Sequence, residues 1–226
     1  MTAEVRDAGW DSHCRVDADR WEDIYVIGDV HGCLDALERL FAAIDADERT
    51  LFVLVGDLVR KGPDSHGVVE FVRERENVVS VRGNNEDKVI RGEKRPPGLT
   101  GDDRAYLESL PHAVSWDGAL VVHGGVDPRK PLADHDPDEL LTMRSLTPDN
   151  GYDRPYWFER YDGRPRVFFG HTVLGEPFES DGAIGLDTGC VYGGRLTAYH
   201  YATGEFHSVA PEQTYQGRDD DSIVSV

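Results

Sequence analysis

The sequence predicts a layered α/β protein, with mixed β-sheets flanked by helices, and three observations carry that prediction. Two apolar runs, IYVIGD (24–29) and TLFVLVGD (50–57), end in Gly-Asp, and each is followed by a segment of helical period. NVVSVRGNNE (77–86) adds a third short strand with a loop behind it, so three βα units follow one another. In the last third, residues 178–209 alternate β-formers with Gly-rich turns, the pattern of antiparallel strands and hairpins.

The elements between follow in order. CLDALERLFAAI (33–44) sets Leu34, Leu37, Leu40, Phe41 and Ile44 on one helical face, and HGVVEFVRER (66–75) repeats that period after a Gly-Pro turn. Residues 92–112, rich in Gly, Pro and charge, make an excursion from the sheet that contains a short helix. GALVVHGG (118–125) and RVFFGHT (166–172) are strands that end in Gly and His. Between them, DPDELLTMRSL (136–146) reads as a helix carrying Arg144, and TPDNGYDRPYWFERY (147–161) as a loop running into another. Trp10, Trp21, Trp116 and Trp157 show no stacking pattern and are expected to pack in the interior. Residues 1–215 are expected to form one domain, and QGRDDDSIVSV (216–226) a disordered, solvated acidic tail.

With 226 residues and 39% hydrophobic content, the chain can bury a core without a disulfide or structural metal. Its 43 acidic and 24 basic residues give a net charge of −19, which argues against a general nucleic-acid or anionic-membrane surface. Lysine supplies only four of those basic residues (Lys61, Lys88, Lys94, Lys130), an acidic, lysine-poor profile that resembles proteins of salt-rich cytosols. Cys14, Cys33 and Cys190 are odd in number and widely spaced, so reduced thiols are expected. No apolar run approaches the ~18 residues of a membrane span, and the first residues lack the apolar core of a secretory signal. A cytoplasmic protein is expected.

Five short blocks carry chemistry: GDVHG (28–32), GDLVRKGPDS (56–65), RGNNE (82–86), HGG (123–125) and GHT (170–172). Each puts a metal-competent side chain just past a predicted strand, where α/β sheets bind ligands, and the glycines allow sharp turns and convergence. Singly, each block is an ordinary turn; their recurrence marks Asp29, His31, Asp57, Asn84, His123 and His171 as a candidate dinuclear metal site. Mixed Asp, His and Asn donors suit borderline divalent ions better than Ca or Mg.

At these residues, from about Tyr25 to Tyr201, the chain resembles the calcineurin-like metallophosphoesterase superfamily, and within it the phosphoprotein phosphatase branch. GDLVRKGP and LDTGCVYGGRLTAYHY (186–201) further resemble the diadenosine tetraphosphate hydrolase subgroup. The resemblance implies the layered metallophosphoesterase fold with two divalent ions at strand ends, Mn first among candidates and Fe, Zn, Co or Ni as alternatives. Asp29 and His31 would hold one ion, Asp57 would bridge, and Asn84, His123 and His171 would hold the other. A metal-bridging hydroxide would attack phosphorus in line, with Asp57 and Asn84 in catalytic roles, on a small phosphorylated substrate. Arg60, Lys61, Arg82 and Arg144 are the candidates for its remaining oxygens.

Two departures narrow this expectation. The family's third block commonly reads G-N-H-E, its His serving as acid toward the leaving group, whereas here Asn85 stands in that place. The acid that usually pairs with this His, three residues after the bridging Asp, is replaced by Arg60. Positioned acid catalysis is worth ~10²–10⁴ in rate when the leaving group is an alkoxide. A phosphate leaving group, with a pKa near ~6, needs little protonation. Phosphoanhydrides, such as dinucleoside polyphosphates, nucleotides or polyphosphate, are therefore the expected substrates. A protein serine/threonine phosphatase and a catalytically impaired phosphate-binding protein are the alternatives, and His66 or His112 could act as substitute acid.

Overall fold

The computed structural model describes residues 12–225. In chain order its strands are β1 (His13–Arg15), β2 (Asp23–Ile27), β3 (Thr50–Leu54), β4 (Val78–Ser80), β5 (Ala113–Trp116), β6 (Ala119–Val122), β7 (Arg166–Phe169), β8 (Phe178–Glu179), β9 (Ala183–Gly185), β10 (Leu196–His200) and β11 (Phe206–Val209). The α-helices are α1 (Leu34–Ile44), α2 (Ser65–Arg73), α3 (Asn84–Ile90), α4 (Gly101–Ser109) and α5 (Pro137–Thr142).

Two mixed sheets result. One runs β11-β10-β2-β3-β4, with β2, β3 and β4 parallel and β10 antiparallel to β2; the other runs β1-β5-β6-β7-β9-β8. The near-continuous apolar runs of β2 and β3 are explained by burial of both faces. Ile24, Val26, Leu51 and Val53 meet Val114, Trp116, Val121 and Phe168 of the facing sheet. The alternate residues Tyr25, Ile27, Phe52 and Leu54 lie under Leu37 and Leu40 of α1 and Val68 and Val69 of α2. Burying a Leu or Val side chain completely is worth about 1.5–3 kcal/mol, and Leu37, Leu40, Val68 and Val69 are all fully buried. On its outer face the six-stranded sheet packs Leu120, Val122, Val167 and Phe169 against Leu140, Trp157 and Phe158.

Several elements differ from expectation. The helix expected over 136–146 stops at Thr142, and Arg144 lies in the loop beyond. Asn150 is the reason: its Oδ1 accepts from the N–H of Arg144 (2.7 Å) and Ser145 (2.9 Å), and its amide donates to the Thr142 carbonyl (2.7 Å). A side chain thus takes the partners a further helical turn would use. The helix expected at the end of 147–161 is a single 3₁₀ turn, Trp157–Glu159. In the third block a helix begins directly at Asn84, because Glu86 reaches back to the Gly83 N–H (2.8 Å).

The segment set aside as a disordered tail folds back onto the protein. Val224 is 4% exposed, pairs with Leu174, and donates its N–H to the Val173 carbonyl (2.8 Å), while the preceding aspartates stay outside. Burial of one apolar residue at the end of the acidic run anchors it. Trp116 and Trp157 are buried and Trp21 is half-buried; Trp10 lies outside the described residues. Cys33 and Cys190, distant in sequence, are both buried free thiols. Among the described residues no helix is long and apolar enough to cross a membrane.

Candidate metal centre

The five blocks leave the ends of β2, β3, β4, β6 and β7, and backbone hydrogen bonds lock their loops together. The His31 N–H donates to the Asp57 carbonyl (2.7 Å), the Gly62 N–H to the His31 carbonyl (2.7 Å), and the Gly170 N–H to the His123 carbonyl (2.9 Å). His31, Asp57, Arg60, Lys61 and His171 all have positive φ, between 51° and 74°. Only Asp45 and Asn150 share that conformation among the other described non-glycine residues. Each such residue costs on the order of 1–3 kcal/mol, and the strain is concentrated where side chains are re-aimed inward. Gly170 serves the same end, since a Cβ there would collide with Asp29 Oδ1 and lie 2.6 Å from Val55 Cγ2.

The six predicted ligands converge. Ligand atoms of Asp29, His31 and Asp57 all lie within 4.8 Å of one another. His31 Nε2 is 3.4 Å from Asp57 Oδ2 and 3.8 Å from Asp29 Oδ2. On the other side of Asp57, His123 Nε2 is 3.3 Å from Asp57 Oδ1 and 3.0 Å from Asn84 Oδ1, which is itself 3.1 Å from His171 Nδ1. Asp57 is common to both groups. Bonds of about 2.1 Å to one ion put neighbouring ligand atoms about 3 Å apart, so these spacings suit shared metals.

The protonation pattern agrees. His123 Nδ1 lies 2.8 Å from the Val55 carbonyl and so carries the proton, which leaves the Nε2 lone pair facing the oxygens of Asn84 and Asp57. A metal ion shared between Nε2 and those oxygens would satisfy all three. Burial, with the Lys61 charge adding to it, lowers the His31 imidazole to about 3; burial and then Arg144 push His171 well below its ordinary value. Neutral imidazole is the form that binds metals. Burial likewise raises the Asp29 carboxyl, with Asp187 and Asp57 contributing. The donor set therefore fits two divalent ions.

Cations line the rim. Lys61 Nζ is 2.7 Å from His31 Nε2 and Arg144 Nη2 is 2.8 Å from His171 Nε2. The loop position of Arg144 is what permits its contact. Arg60 reaches the cluster indirectly: its guanidinium donates to Asn85 Oδ1, and the Asn85 amide donates to Asp57 Oδ2. Arg82 turns elsewhere, donating to the Glu108 carbonyl (2.7 Å) at the end of α4. Of the two histidines considered as substitute acids, His66 is tied to Asp103 (2.7 Å) and His112 is half-buried, lowered to about 4 by that burial and by Arg82.

Four kinds of residue escaped the sequence reading. Glu86 is fully buried and accepts the N–H groups of Asp57 (2.8 Å), Val59 (3.1 Å) and Gly83 (2.8 Å), which pins the second block to the third. Its signal was its place three residues after Gly83, at the third helical position. Asp187 is buried at the end of β9, raised by burial and opposed by Lys61; it follows a strand as Asp29 and Asp57 do. Tyr192 and Tyr152 supply aromatic faces, with Lys61 5.2 Å above Tyr192 and Arg144 4.3 Å above Tyr152. Arg218, from the supposed tail, stands 4.8 Å over Tyr192 and donates to the Tyr152 hydroxyl (2.8 Å); nothing local in the sequence announces it.

Residues 23–194 match the family model of calcineurin-like phosphoesterases. The chain belongs to that family. Calcineurin-like phosphoesterases use a dinuclear divalent metal centre, and the group Asp29, His31 and Asp57 is a candidate for holding part of it here. The chain is 27% identical to the asymmetrical bis(5'-nucleosyl)-tetraphosphatase PrpE of Oceanobacillus iheyensis, over 85% of this chain and 94% of that one. It is 25% identical to serine/threonine-protein phosphatase 1 of Salmonella typhimurium, over 81% and 94%. A crystal structure assigned provisionally as a diadenosine tetraphosphatase superposes with a TM-score of 0.79 at 32% identity, covering 88% of this chain and 97% of that one.

Proposed function

We propose that this phosphoesterase hydrolyses phosphoanhydride bonds in dinucleoside polyphosphates and related nucleotides or polyphosphates. The observation that carries the reading is the hydrogen-bonded chain Arg60–Asn85–Asp57, in which Arg60 and Asn85 stand where the wider family places a partner acid and a proton-donating His. An amide clamped between a guanidinium and a carboxylate delivers no proton, so the leaving group must depart as a stable anion. A phosphate does so and a serine alkoxide does not. The names of the tetraphosphatase relatives support the same substrate class.

Asp29, His31, Asp57, Asn84, His123 and His171 would hold two divalent ions, Mn first among candidates. When bound, these supply an activated water and neutralise charge on the phosphoryl oxygens. The chain's own residues do the rest. Asp57, shared by both ligand groups, sets their spacing, and Asn84 keeps its amide nitrogen as a neutral donor. Lys61 and Arg144, on opposite sides of the cluster, bind the non-bridging oxygens and hold phosphorus in line for attack. Arg60 lies on the leaving-group side with Asn85, where its charge receives the departing phosphate.

The test is a substrate panel with Mn-loaded protein, in which diadenosine tetraphosphate and tripolyphosphate should be cleaved with a kcat/KM at least tenfold that of phosphoserine peptides. Faster turnover of the peptides would favour a protein phosphatase, the reading that the Salmonella relative's name supports. Absence of any turnover would favour a phosphate-binding protein.

A further inference from the structure

Beside the metal centre lies a cleft of about 280 Å³ whose charged lining residues are all basic: Arg60 and Lys61 from the second block, and Lys94 and Arg95 from the excursion after α3. No Asp or Glu lines it, in a chain where acids outnumber bases 43 to 24. Among the described residues none of the four forms an ion pair with a carboxylate, and Lys94 and Arg95 are exposed. Two of the chain's four lysines are here, and a third, Lys88, is close enough to feel the charges of Arg60 and Lys61. Lys61 is compensated by Asp57 and Asp187 of the metal centre, so the cations left for an added anion are those of the outer wall, Lys94 and Arg95, whose mutual repulsion an anionic ligand relieves.

The chemistry of the lining specifies the anion. No aromatic side chain lines the cleft for a base to stack on, and its charged groups are all cationic. Pro96 and Pro97 fix the backbone of the outer wall, so the two distal cations are carried on a stiffened loop. Lys61 belongs both to the cleft and to the rim of the metal cluster through its 2.7 Å contact with His31. An oligophosphate bound at the metals can therefore continue into the cleft without a break in positive charge.

We propose that this cleft is a subsite for phosphate groups beyond the scissile bond, with Lys94 and Arg95 binding the distal end of an oligophosphate chain and making affinity depend on chain length. The inference rests on the phosphoanhydride reading, and it assigns ligand-binding roles to two residues outside the five blocks.

The experiment is calorimetry on the full-length, metal-loaded protein with metal in excess, using inorganic orthophosphate and non-hydrolysable imidotriphosphate as probes. The quantity read is the ratio of their dissociation constants. In K94E/R95E that ratio should shrink at least tenfold relative to the unmodified protein, and in K94Q/R95Q by an intermediate factor. A ratio unchanged in both variants, with circular dichroism confirming the fold, overturns the proposal. Failure of the phosphoanhydride reading looks different: imidotriphosphate would still outbind orthophosphate through Lys94 and Arg95, while ordinary tripolyphosphate would go uncleaved.

Discussion

Arg60 donates to the side-chain oxygen of Asn85, and Asn85 passes the interaction on to Asp57, so the two residues that replace the family's His and its partner acid are bonded to each other. The pair is internally consistent: an imidazole at 85 would stand against the guanidinium, which disfavours its protonated form. Asn85→His alone should therefore raise aryl phosphate hydrolysis only slightly. The double change Arg60→Asp with Asn85→His should raise it at least tenfold, while lowering kcat/KM for tripolyphosphate through loss of the Arg60 charge. Equal gains for both substrate classes would refute the leaving-group argument; steady-state kinetics on phenyl phosphate, whose phenolate leaves poorly without a proton, and on tripolyphosphate provide the check.

Lys61 is held at positive φ, 2.7 Å from a predicted metal ligand. Its removal takes away a charge-assisted contact worth about 1.5–3 kcal/mol, or roughly tenfold to a hundredfold. Lys61→Ala should lose that much in kcat/KM while retaining the full metal stoichiometry, as measured by elemental analysis after gel filtration. Loss of metal together with activity would place Lys61 in support of the cluster instead.

Gly170 lets the fifth block close over Asp29. A methyl group there meets Asp29 Oδ1 and Val55 Cγ2, and overpacking at such a site costs about 1–3 kcal/mol. Gly170→Ala should weaken Mn binding at least tenfold by titration calorimetry, because both Asp29 and His171 are pushed out of place. Gly92, with nothing within 4 Å of its added Cβ, offers a control for the same exchange, although its positive φ adds local strain.

Asp103 caps α4 and gathers Thr100, His66 and Arg73 around a fully buried carboxylate. Burial would raise its pKa, but the Thr100 and His66 donors prevail and depress it. Its contribution is thus present above the ordinary value of about 3.9 and is lost as pH falls through the lower folded value. His66 is shifted upward by the same bond, so its share is complete below about 6.5 and is lost as pH rises through the raised value. Both contribute fully between those limits. Asp103→Asn should cost about 2 kcal/mol near pH 5.5, or roughly 4–8 °C in Tm, and the difference should narrow below pH 4. Thermal melts at pH 3, 5.5 and 8 measure it, and a difference independent of pH would exclude the ionic account.

The six candidate ligands could be named from the sequence because each is set locally: a strand, a glycine and a donor recur within a few residues, and strand ends in an α/β layer point to one place. The parallel β2-β3-β4 core was legible for the same reason, since its residues are apolar on both faces. The loop position of Arg144 was not, because the helix expected to carry it is ended by Asn150, six residues further on. Nor was the folding back of residues 216–225, where one buried valine outweighs the preceding run of aspartates.

By itself the sequence determined the layered α/β class, the identity of six candidate donors and the replacement of the dyad, all properties of short segments and their order. Only the tertiary structure decided that Arg60 and Asn85 are bonded, that Glu86 ties two blocks together, that Arg218 reaches Tyr192, and that Lys94 and Arg95 share a cleft with Lys61. Those relations join residues whose separation in the chain carries no periodicity, and they exist because strained loops and long-range packing hold the side chains together.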